Sequence, residues 1–434
     1  MKPNKSARQL AIPALPVERF ELSCGAVLLV SPRAGAPVCA VQAHLRGGHS
    51  LDPADKAGIA YLTGSLVDQG TRNRTEVEMA TELENAGGHL SGGGTGVAGA
   101  MPSAHWKLLL DLLADCLLAP VYPKANFDRQ KQRLLDRLTV DRDEPRVRAA
   151  LLFRKLVYGD HWLGTAEIGD VDSVSKIQRR DIVSFHKKNW KGRRIVISFS
   201  GAVDPKRVRR HLEKALHDLP PGEPLGPPNM EFPPLAPRTA AFTADRNQVH
   251  LFLGHLGVRR EDPDYPALIV MDHVLGTGPG FTSRITRRLR DELGLAYTVY
   301  ADISGSAGVL PGMFTAYIGT SPEHVETAVD GFLHEIRTIQ KKLIREDELN
   351  LAKSYLTGSF PLGFERASRR VQTLILAERC GLPSTHLSDL VNALVSVTRE
   401  DVRRAARKHL DPDRVCLVGG GPVKHSQLKG LLRS

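Results

Sequence analysis

Residues 58–71 read Gly58-Ile59-Ala60-Tyr61-Leu62-Thr63-Gly64-Ser65-Leu66-Val67-Asp68-Gln69-Gly70-Thr71. In a helix, positions 61 and 65 lie one turn apart on the same face, and position 64 lies beside them. Two histidines and a glutamate at these three places would form a zinc site with an activated water. Here the three places hold Tyr61, Gly64 and Ser65, so neither an imidazole nor an ionised carboxylate remains. The stretch therefore predicts a helix with the frame of a zinc-binding helix but without its ligands.

This frame resembles the helix G-x-A-H-F-L-E-H-x-x-x-x-G-T of the pitrilysin/insulinase-type metallopeptidases, or inverzincins. In that family a further glutamate ligand comes from a downstream helix with the pattern E-E-I-x-x-x-x-D-x-P, which aligns with residues 136–145 here. Arg137 then stands at the ligand position, although a shift of one residue would place Asp136 there. The resemblance implies that this chain holds no metal of its own and does not hydrolyse peptides alone.

The composition is that of a globular protein of more than one domain. The 434 residues are 41% hydrophobic and 25% charged, and no run approaches the ~18–20 apolar residues that cross a bilayer. The basic N-terminus continues into a proline-interrupted stretch, which argues against a secretory signal. The five cysteines are scattered and lack any paired spacing. We therefore expect buried thiols, a cytoplasmic location and no membrane partner.

The net charge of +11 raises the question of an anionic partner. The densest basic cluster is Arg284, Arg287, Arg288 and Arg290, which a helix would spread over more than one face. No nucleic-acid-binding motif and no interleaved aromatic residues accompany it. We therefore expect no nucleic-acid partner, and a helix that faces either solvent or another protein.

A proline-rich segment, residues 219–237, divides the chain almost equally and predicts a semi-rigid linker. Short β-rich runs alternate with longer helical ones in each half, such as the helix predicted over 106–118. We predict an α+β fold of two homologous domains, 1–218 and 238–434, each a mixed, mostly antiparallel sheet packed with helices. The family resemblance implies that they form half of a clam shell. The ends of the two halves match at an offset of 220 residues, in the pairs Asp181 and Asp401, Lys188 and Lys408, Arg194 and Arg414, and Gly201 and Gly421.

The second half carries a long motif, residues 275–285 followed by 289–300, which resembles the family signature L-G-x-x-x-S-R-L … L-R-E-x-x-G-L-A-Y-S-V. In such peptidases the Arg and Tyr of the signature contact the substrate main chain next to zinc held by the other domain or subunit. The corresponding residues here are Arg290 and Tyr297. A guanidinium and a phenol can hold a peptide carbonyl without binding metal. The alternatives are a surface salt bridge from Arg290 to Asp291 or Glu292, and a half-buried strand aromatic at Tyr297.

Two glycine-rich stretches lie near these motifs. Residues 87–96 occupy the place where the family has a strand edge that pairs with substrate, and loss of side chains there favours a flexible or non-binding edge. A phosphate-binding loop is the rival interpretation, but no G-K-[ST] follows. Gly276, Gly278 and Gly280 are predicted to line the substrate chamber, as a glycine-rich loop does in the non-catalytic subunits of related processing peptidases. Their simpler role is to end a helix before Thr282.

These patterns favour a non-catalytic subunit of a heterodimeric zinc metalloendopeptidase, as the resemblance to bacterial two-chain peptidases and to mitochondrial processing peptidase subunits implies. Its partner would carry an intact H-x-x-E-H motif and the zinc, and its ligand would be a peptide. One alternative is a structural or assembly protein of the same fold without protease activity. Another is a self-contained peptidase with unrecognised ligands, although the remaining histidines lack ligand spacing; the candidates are His44, His49, His105, His161 and His186.

Overall fold

Two β-sheets, one from each half of the chain, form the framework of the protein. The computed structural model describes residues 16–432. The first sheet contains β1 (Glu18–Glu21), β2 (Val27–Pro32), β3 (Val38–Leu45), β4 (His89–Gly93), β5 (Gly96–Pro102) and β6 (Ile195–Gly201). The second contains β7 (Arg238–Thr243), β8 (Val249–Leu256), β9 (Val299–Asp302), β10 (Met313–Thr320) and β11 (Cys416–Gly421).

The two sheets share one topology. The first has the order β1-β2-β6-β3-β5-β4 and the second the order β7-β11-β8-β10-β9, so the second repeats the first without the edge strand β1. In each sheet the last strand is parallel to one neighbour, β6 to β2 and β11 to β7, while the other pairings are antiparallel. The predicted α+β fold with two similar mixed sheets is therefore confirmed.

The repeat extends to the helices that precede the last strand of each sheet. Asp181 accepts a hydrogen bond from the backbone N of Gln178, and Asp401 accepts one from the backbone N of Thr398, each at the third position of its helix. Both carboxylates thus cap a helix start in the same way. The matched residues at the 220-residue offset lie at equivalent places in the two halves, as expected from the sequence.

Fifteen α-helices pack on these sheets within the described residues. The helix predicted over 106–118 is present with those bounds, because its apolar residues fill the core beneath the first sheet. The helices are α1 (Ile59–Gly64), α2 (Glu76–Asn85), α3 (Trp106–Leu118), α4 (Lys124–Asp143), α5 (Pro145–Tyr158), α6 (Val171–Lys176), α7 (Arg179–Asn189), α8 (Pro205–Ala215), α9 (Tyr265–Asp272), α10 (Val325–Lys341), α11 (Glu346–Phe364), α12 (Ala367–Arg379), α13 (His386–Ser396), α14 (Arg399–His409) and α15 (His425–Leu431).

The two halves exchange one helix each. Helix α5 belongs to the first half but packs on the second sheet, where Phe153 joins Phe252 and Val418 in one apolar cluster. Helix α12 belongs to the second half but packs on the first sheet, where Ile375 contacts a cluster with Val196. The proline-rich segment between the halves has neither helix nor strand over residues 220–237. Packing therefore crosses the boundary that the sequence suggested between residues 218 and 238.

The cysteines are buried and reduced, as predicted. Burial raises the pKa of the Cys39 and Cys416 thiols to about 11, which keeps them protonated and unreactive. Within residues 16–432, none of the helices is both long enough and apolar enough to cross a membrane.

Candidate functional site

The helix with the zinc-binding frame is short and tightly held at its start. Gly58 precedes α1 with a left-handed φ of 93°, a conformation that glycine adopts readily. The Asp52 carboxylate accepts hydrogen bonds from the backbone N of Gly58 at 2.7 Å and of Ala60 at 3.0 Å. Burial raises the pKa of Asp52 to about 6 despite these bonds. The predicted helix is therefore present over Ile59–Gly64, and a half-buried carboxyl group outside the frame holds its first turn.

Two of the three ligand positions lie in α1 and Ser65 directly follows it, and none of the three fits zinc. Tyr61 is half-buried, and the Ser65 hydroxyl donates to the carbonyl of Leu62 at 3.0 Å. Gly64 is buried, and a Cβ there would lie 2.5 Å from the carbonyl oxygen of Gly94. A glutamate at position 64 would therefore collide with the backbone of the hairpin between β4 and β5. The donors that a metal site needs are absent, and the packing leaves no room for the acid.

The glycine-rich stretch over residues 87–96 forms that hairpin, with β4 as one of the two edge strands of the first sheet. A Cβ at Gly92 would lie 2.2 Å from the carbonyl oxygen of Gly64, so strand and helix meet backbone to backbone. The Asp68 carboxylate accepts from the backbone N of Gly92 at 3.0 Å. Sequence reasoning missed Asp68, although it lies three residues beyond the ligand triplet. The hairpin corresponds to the predicted strand edge. One of its backbone N–H groups, that of Gly92, already donates to Asp68 in the loop after α1.

The downstream ligand position lies on the exposed side of α4. Arg137 pairs with Asp141, one turn further along, at an N–O distance of 3.5 Å. Asp136, the residue that a one-residue shift would offer, accepts from the side-chain amide of Gln132 at 2.8 Å. Both candidates thus contact neighbours on their own helix. A cation at position 137 would repel a metal ion.

Among the described residues, one group of His, Cys, Asp or Glu side chains has the mutual spacing of metal ligands: Asp262, Asp264 and His409. The Asp264 carboxylate already pairs with Arg404 at 2.9 Å and with Lys408 at 2.8 Å, and these bonds hold the pKa of Asp264 below its usual value against the effect of burial. Two cations beside the carboxylate make this an ion-pair network. The histidines singled out in the sequence lie outside it.

The second-half motif builds a corner that presents Tyr297. Residues Thr286–Glu292 form a π-helical segment, in which the backbone N of Leu293 donates to the carbonyl of Arg288, five residues back. Such segments are rare and often lie at functional sites. Gly294 then turns the chain with φ 64°, and the buried Leu295 anchors it. The carbonyl of Leu295 accepts from the Thr320 hydroxyl at 2.9 Å. Gly294 and Leu295 therefore have a structural reason, and the exposed tyrosine that follows them does not.

Arg290 and Tyr297 lie together at this corner. The guanidinium carbon of Arg290 is 5.2 Å from the centroid of the Tyr297 ring, within the range of a cation–π contact. Tyr297 is 81% exposed and precedes strand β9, so the interpretation as a half-buried strand aromatic is wrong. The Arg290 Nε to Asp291 Oδ1 distance of 3.9 Å makes the alternative salt bridge a weak contact. A phenol in open solvent beside a guanidinium is an arrangement that can donate to a carbonyl oxygen.

The expectation that the cluster faces solvent or another protein is wrong for Arg284, whereas Arg287 is exposed and Arg288 is partly exposed. Arg284 is buried and makes two parallel hydrogen bonds to Glu348, at 2.9 and 2.6 Å. Arg287 and Arg288 lie 3.7 Å from carboxylates of Glu292 and Glu335.

The three predicted chamber glycines differ in exposure. Gly276 is buried in a second π-helical segment, His273–Thr277, and a Cβ there would lie 2.2 Å from the carbonyl oxygen of Ala301 in β9. Gly278 follows the end of that segment, where a Cβ would lie 2.6 Å from the carbonyl oxygen of His273. Gly280 is exposed, with φ 60° and open space around it. Gly276 is therefore a packing position, and Gly280 is the one of the three that solvent reaches freely.

Comparison with known proteins agrees with this architecture. Residues 28–164 match the family model for insulinase, peptidase family M16, and residues 176–356 match the model for the peptidase M16 inactive domain. Together the two matches span most of the chain. The chain belongs to peptidase family M16.

M16 relatives cover nearly the whole length of the chain. An uncharacterized zinc protease of Streptomyces coelicolor is 27% identical over 403 residues, which are 90% of this chain and 86% of the relative. A protein of Helicobacter pylori named a non-peptidase homolog is 23% identical over 380 residues, 86% of this chain and 87% of the relative. The crystal structure of a peptidase M16 inactive domain from Pseudomonas fluorescens is 26% identical, with a TM-score of 0.86 over 94% of this chain and 99% of that one.

Proposed function

We propose that this M16 protein is the non-catalytic subunit of a two-chain zinc metalloendopeptidase. Its partner would be a cytoplasmic M16 chain with an intact H-x-x-E-H motif, which brings the zinc. This chain would close the chamber and hold the substrate peptide through Arg290 and Tyr297. The observation that carries the proposal is the pairing of these two side chains at 5.2 Å, with the phenol exposed, in a chain whose own ligand triplet reads Tyr61, Gly64 and Ser65.

The chemistry of the pair suits a supporting role. An arginine guanidinium and a phenol donate hydrogen bonds but offer no metal ligand at neutral pH, so they can hold a peptide carbonyl beside a metal without competing for it. Donors aimed at the charge that develops on a carbonyl oxygen contribute most when they are fixed in advance. The π-helical segment holds the backbone of Arg290, and the Gly294 turn connects it to Tyr297.

The test is reconstitution of the two chains. The purified chain alone is expected to hydrolyse no peptide and to hold no stoichiometric zinc, while mixing with the H-x-x-E-H chain encoded nearest to it should give activity. Arg290→Ala is expected to lower kcat by about 100-fold without weakening assembly, the scale seen for loss of one charge-stabilising donor. Tyr297→Phe should also lower kcat, since it removes the hydroxyl and keeps the ring.

Arg287→Ala is the matched control, because Arg287 lies on the same π-helical segment and pairs with Glu292 at 3.7 Å. Its turnover should stay near that of the parent complex. Undiminished turnover in Arg290→Ala would contradict the assigned role, and tightly held zinc in the isolated chain would contradict the whole proposal.

A structural or assembly protein is the second candidate, favoured by the Helicobacter pylori relative that is named a non-peptidase homolog. It predicts a stable complex with a partner whose activity does not depend on position 290 or 297. The reconstitution experiment separates the two candidates directly.

A further inference from the structure

The corner with Arg290 and Tyr297 belongs to one long excursion of the chain, residues 273–302, which leaves the end of α9 and returns through β9. Strand β9 lies at the edge of the second sheet, and within the described strands β10 alone pairs with it. Tyr297 lies two residues before β9. The place of its ring therefore depends on what else holds this edge strand.

The side chain of Asp272 ties the two ends of this excursion together. Asp272 is the last residue of α9 and is only 1% exposed. Its carboxylate accepts hydrogen bonds from the backbone N of Ile303 at 3.1 Å, from the backbone N of Ser304 at 2.9 Å and from the Ser304 hydroxyl at 2.5 Å. Bonds to an ionised acceptor are stronger than those between neutral groups. One buried carboxylate thus fixes the residues that directly follow β9.

Two further contacts hold β9 to the same part of the chain. The Tyr265 hydroxyl, at the start of α9, donates to the Ser304 carbonyl at 3.3 Å. The π-helical segment His273–Thr277, which continues from Asp272, packs on β9 backbone to backbone, since a Cβ at Gly276 would lie 2.2 Å from the carbonyl oxygen of Ala301. Strand β9 is therefore held by β10 and, in addition, by α9 and this segment.

Arg290 is fixed separately, from the other side of the corner. The backbone N of Gly294 donates to the Arg290 carbonyl at 3.2 Å, and the backbone N of Leu295 donates to the Leu289 carbonyl at 2.8 Å. Arg290 thus follows its own π-helical segment, whereas Tyr297 continues into β9. The distance between the guanidinium and the ring depends on both supports.

An acid at position 272 is not explained by stability. Burial, and then the neighbouring Asp302 carboxylate, raise the pKa of Asp272 to about 7, although the bonds from Ser304 and Ile303 act in the opposite direction. Asp272 also lies at the C-terminal end of α9, where the helix dipole disfavours an anion. The three donors at residues 303 and 304 give this position its reason for carrying an acid.

We propose that Asp272 is a positioning residue for the pair: by fixing the end of β9, it sets the place of Tyr297 relative to Arg290. That the pair then holds a substrate peptide rests on the proposed function. The placement itself is a property of this chain, and it can be measured without any partner.

The experiment places 3-fluorotyrosine at position 297 only and records 19F NMR spectra of the intact chain at pH 8.5. Arg290→Ala should shift the fluorine resonance of the parent, because the guanidinium lies over the ring. In Asp272→Asn this response to Arg290→Ala should be lost, since the amide keeps the shape of the side chain but turns its NH2 group towards backbone donors. Ser304→Ala removes one of the three donors and should weaken the response.

Asp264→Asn is the matched control. Asp264 is a buried carboxylate at the opposite end of α9, and it bonds to Arg404 and Lys408 of α14 and to neither end of the 273–302 excursion. This variant should keep the full fluorine response even where its stability falls.

Three outcomes would overturn the proposal: no response to Arg290→Ala in the parent, a full response in Asp272→Asn and Ser304→Ala, or an equal loss in Asp264→Asn. If Asp272→Asn does not fold, the response of Ser304→Ala decides.

The reconstituted complex supplies the second measurement. Asp272→Asn is expected to lower kcat by up to about 100-fold with KM nearly unchanged, the scale of a small misplacement at a reacting centre. In a complex that already carries Arg290→Ala it should have no further effect, because both changes remove the same contribution. If Arg290→Ala leaves turnover undiminished while the fluorine response still follows Asp272, the proposed function fails and the positioning role stands.

Discussion

At the residue scale, the packing around Gly64 leaves no space for a glutamate side chain at this position of the zinc-binding frame. Its Cβ position lies 2.5 Å from the Gly94 carbonyl oxygen, a distance that forces the hairpin or the helix to shift. We expect Gly64→Ala to lower the free energy of unfolding by about 1–3 kcal/mol, the usual cost of overpacking. Denaturant unfolding followed by circular dichroism measures this cost.

Gly93→Ala is the control for this prediction, since Gly93 lies in the same hairpin with an ordinary φ and no atom within 4 Å of its Cβ position. It should change stability by less than about 0.5 kcal/mol, as an unobstructed surface substitution does. Equal losses in the two variants would show that the hairpin, and not the contact with α1, sets the cost. Transplanting His, Glu and His into positions 61, 64 and 65 should meet the same obstacle.

Sequence reasoning named the candidate site residues but not the structural surroundings of all of them. Tyr61 and Ser65 could be interpreted from spacing alone, and Arg290 and Tyr297 from the family motif. The steric role of Gly64 depends on Gly92 and Gly94, which approach it only in the folded chain. Gly276 is predicted to line a chamber from the resemblance to a glycine-rich loop of related processing peptidases, whereas in the structure it lies in a π-helical segment packed against Ala301 of β9.

At the scale of elements, the two exchanged helices rest on different surfaces. Beneath α5 the second sheet presents Phe252, Tyr317 and Val418. On the equivalent face of the first sheet, under α12, several buried side-chain atoms have no hydrogen-bond partner among the described protein atoms: Ser31, Gln42, His44, Ser198 and Ser200. Burial lowers the pKa of His44 to about 3, so it is neutral there. Helix α12 thus covers a polar surface on which several buried side-chain atoms have no hydrogen-bond partner among the described residues.

We therefore expect Ser198→Ala to leave the free energy of unfolding unchanged or to raise it slightly, since it removes a buried hydroxyl without a partner. Ser173→Ala is the comparison, because that buried hydroxyl donates to the Ala57 carbonyl at 3.0 Å. Its loss should cost about 1 kcal/mol. Thermal and urea unfolding of the two variants measures the difference, and an equal cost at both sites would mean that Ser198 is bonded in solution.

At the scale of the whole molecule, the helix exchange makes the two halves one unit. A specific protease site inserted at Gly226, in the exposed proline-rich segment, should yield two fragments that remain together in size-exclusion chromatography. Loss of an aromatic core side chain costs about 3–5 kcal/mol, so Phe153→Ala in the cleaved protein should promote separation. Fragments of the cleaved parent that separate without denaturant would contradict the exchange.

The division of the chain into two similar halves could be predicted because local sequence features mark it. The prolines of residues 219–237 and the matches at an offset of 220 residues gave the two-part organisation. The exchange of helices could not be predicted from such local features. Helix α5 has the apolar face of any helix that packs on a sheet, and no spacing rule tells which of the two sheets it covers. Which half completes the core of the other is decided by contacts between residues far apart in sequence.

The exchange also sets an order for biosynthesis. When Tyr158 leaves the ribosome, α5 is complete, but the last strand beneath it ends only at Gly421, about 260 residues later. At ~5–20 residues per second, that interval is on the order of 10–50 s. Phe153 cannot stack on Phe252 until β8 has been made, and its cluster with Val418 is complete only after β11. We therefore expect newly made chains to expose part of the apolar face of α5 until translation is nearly finished.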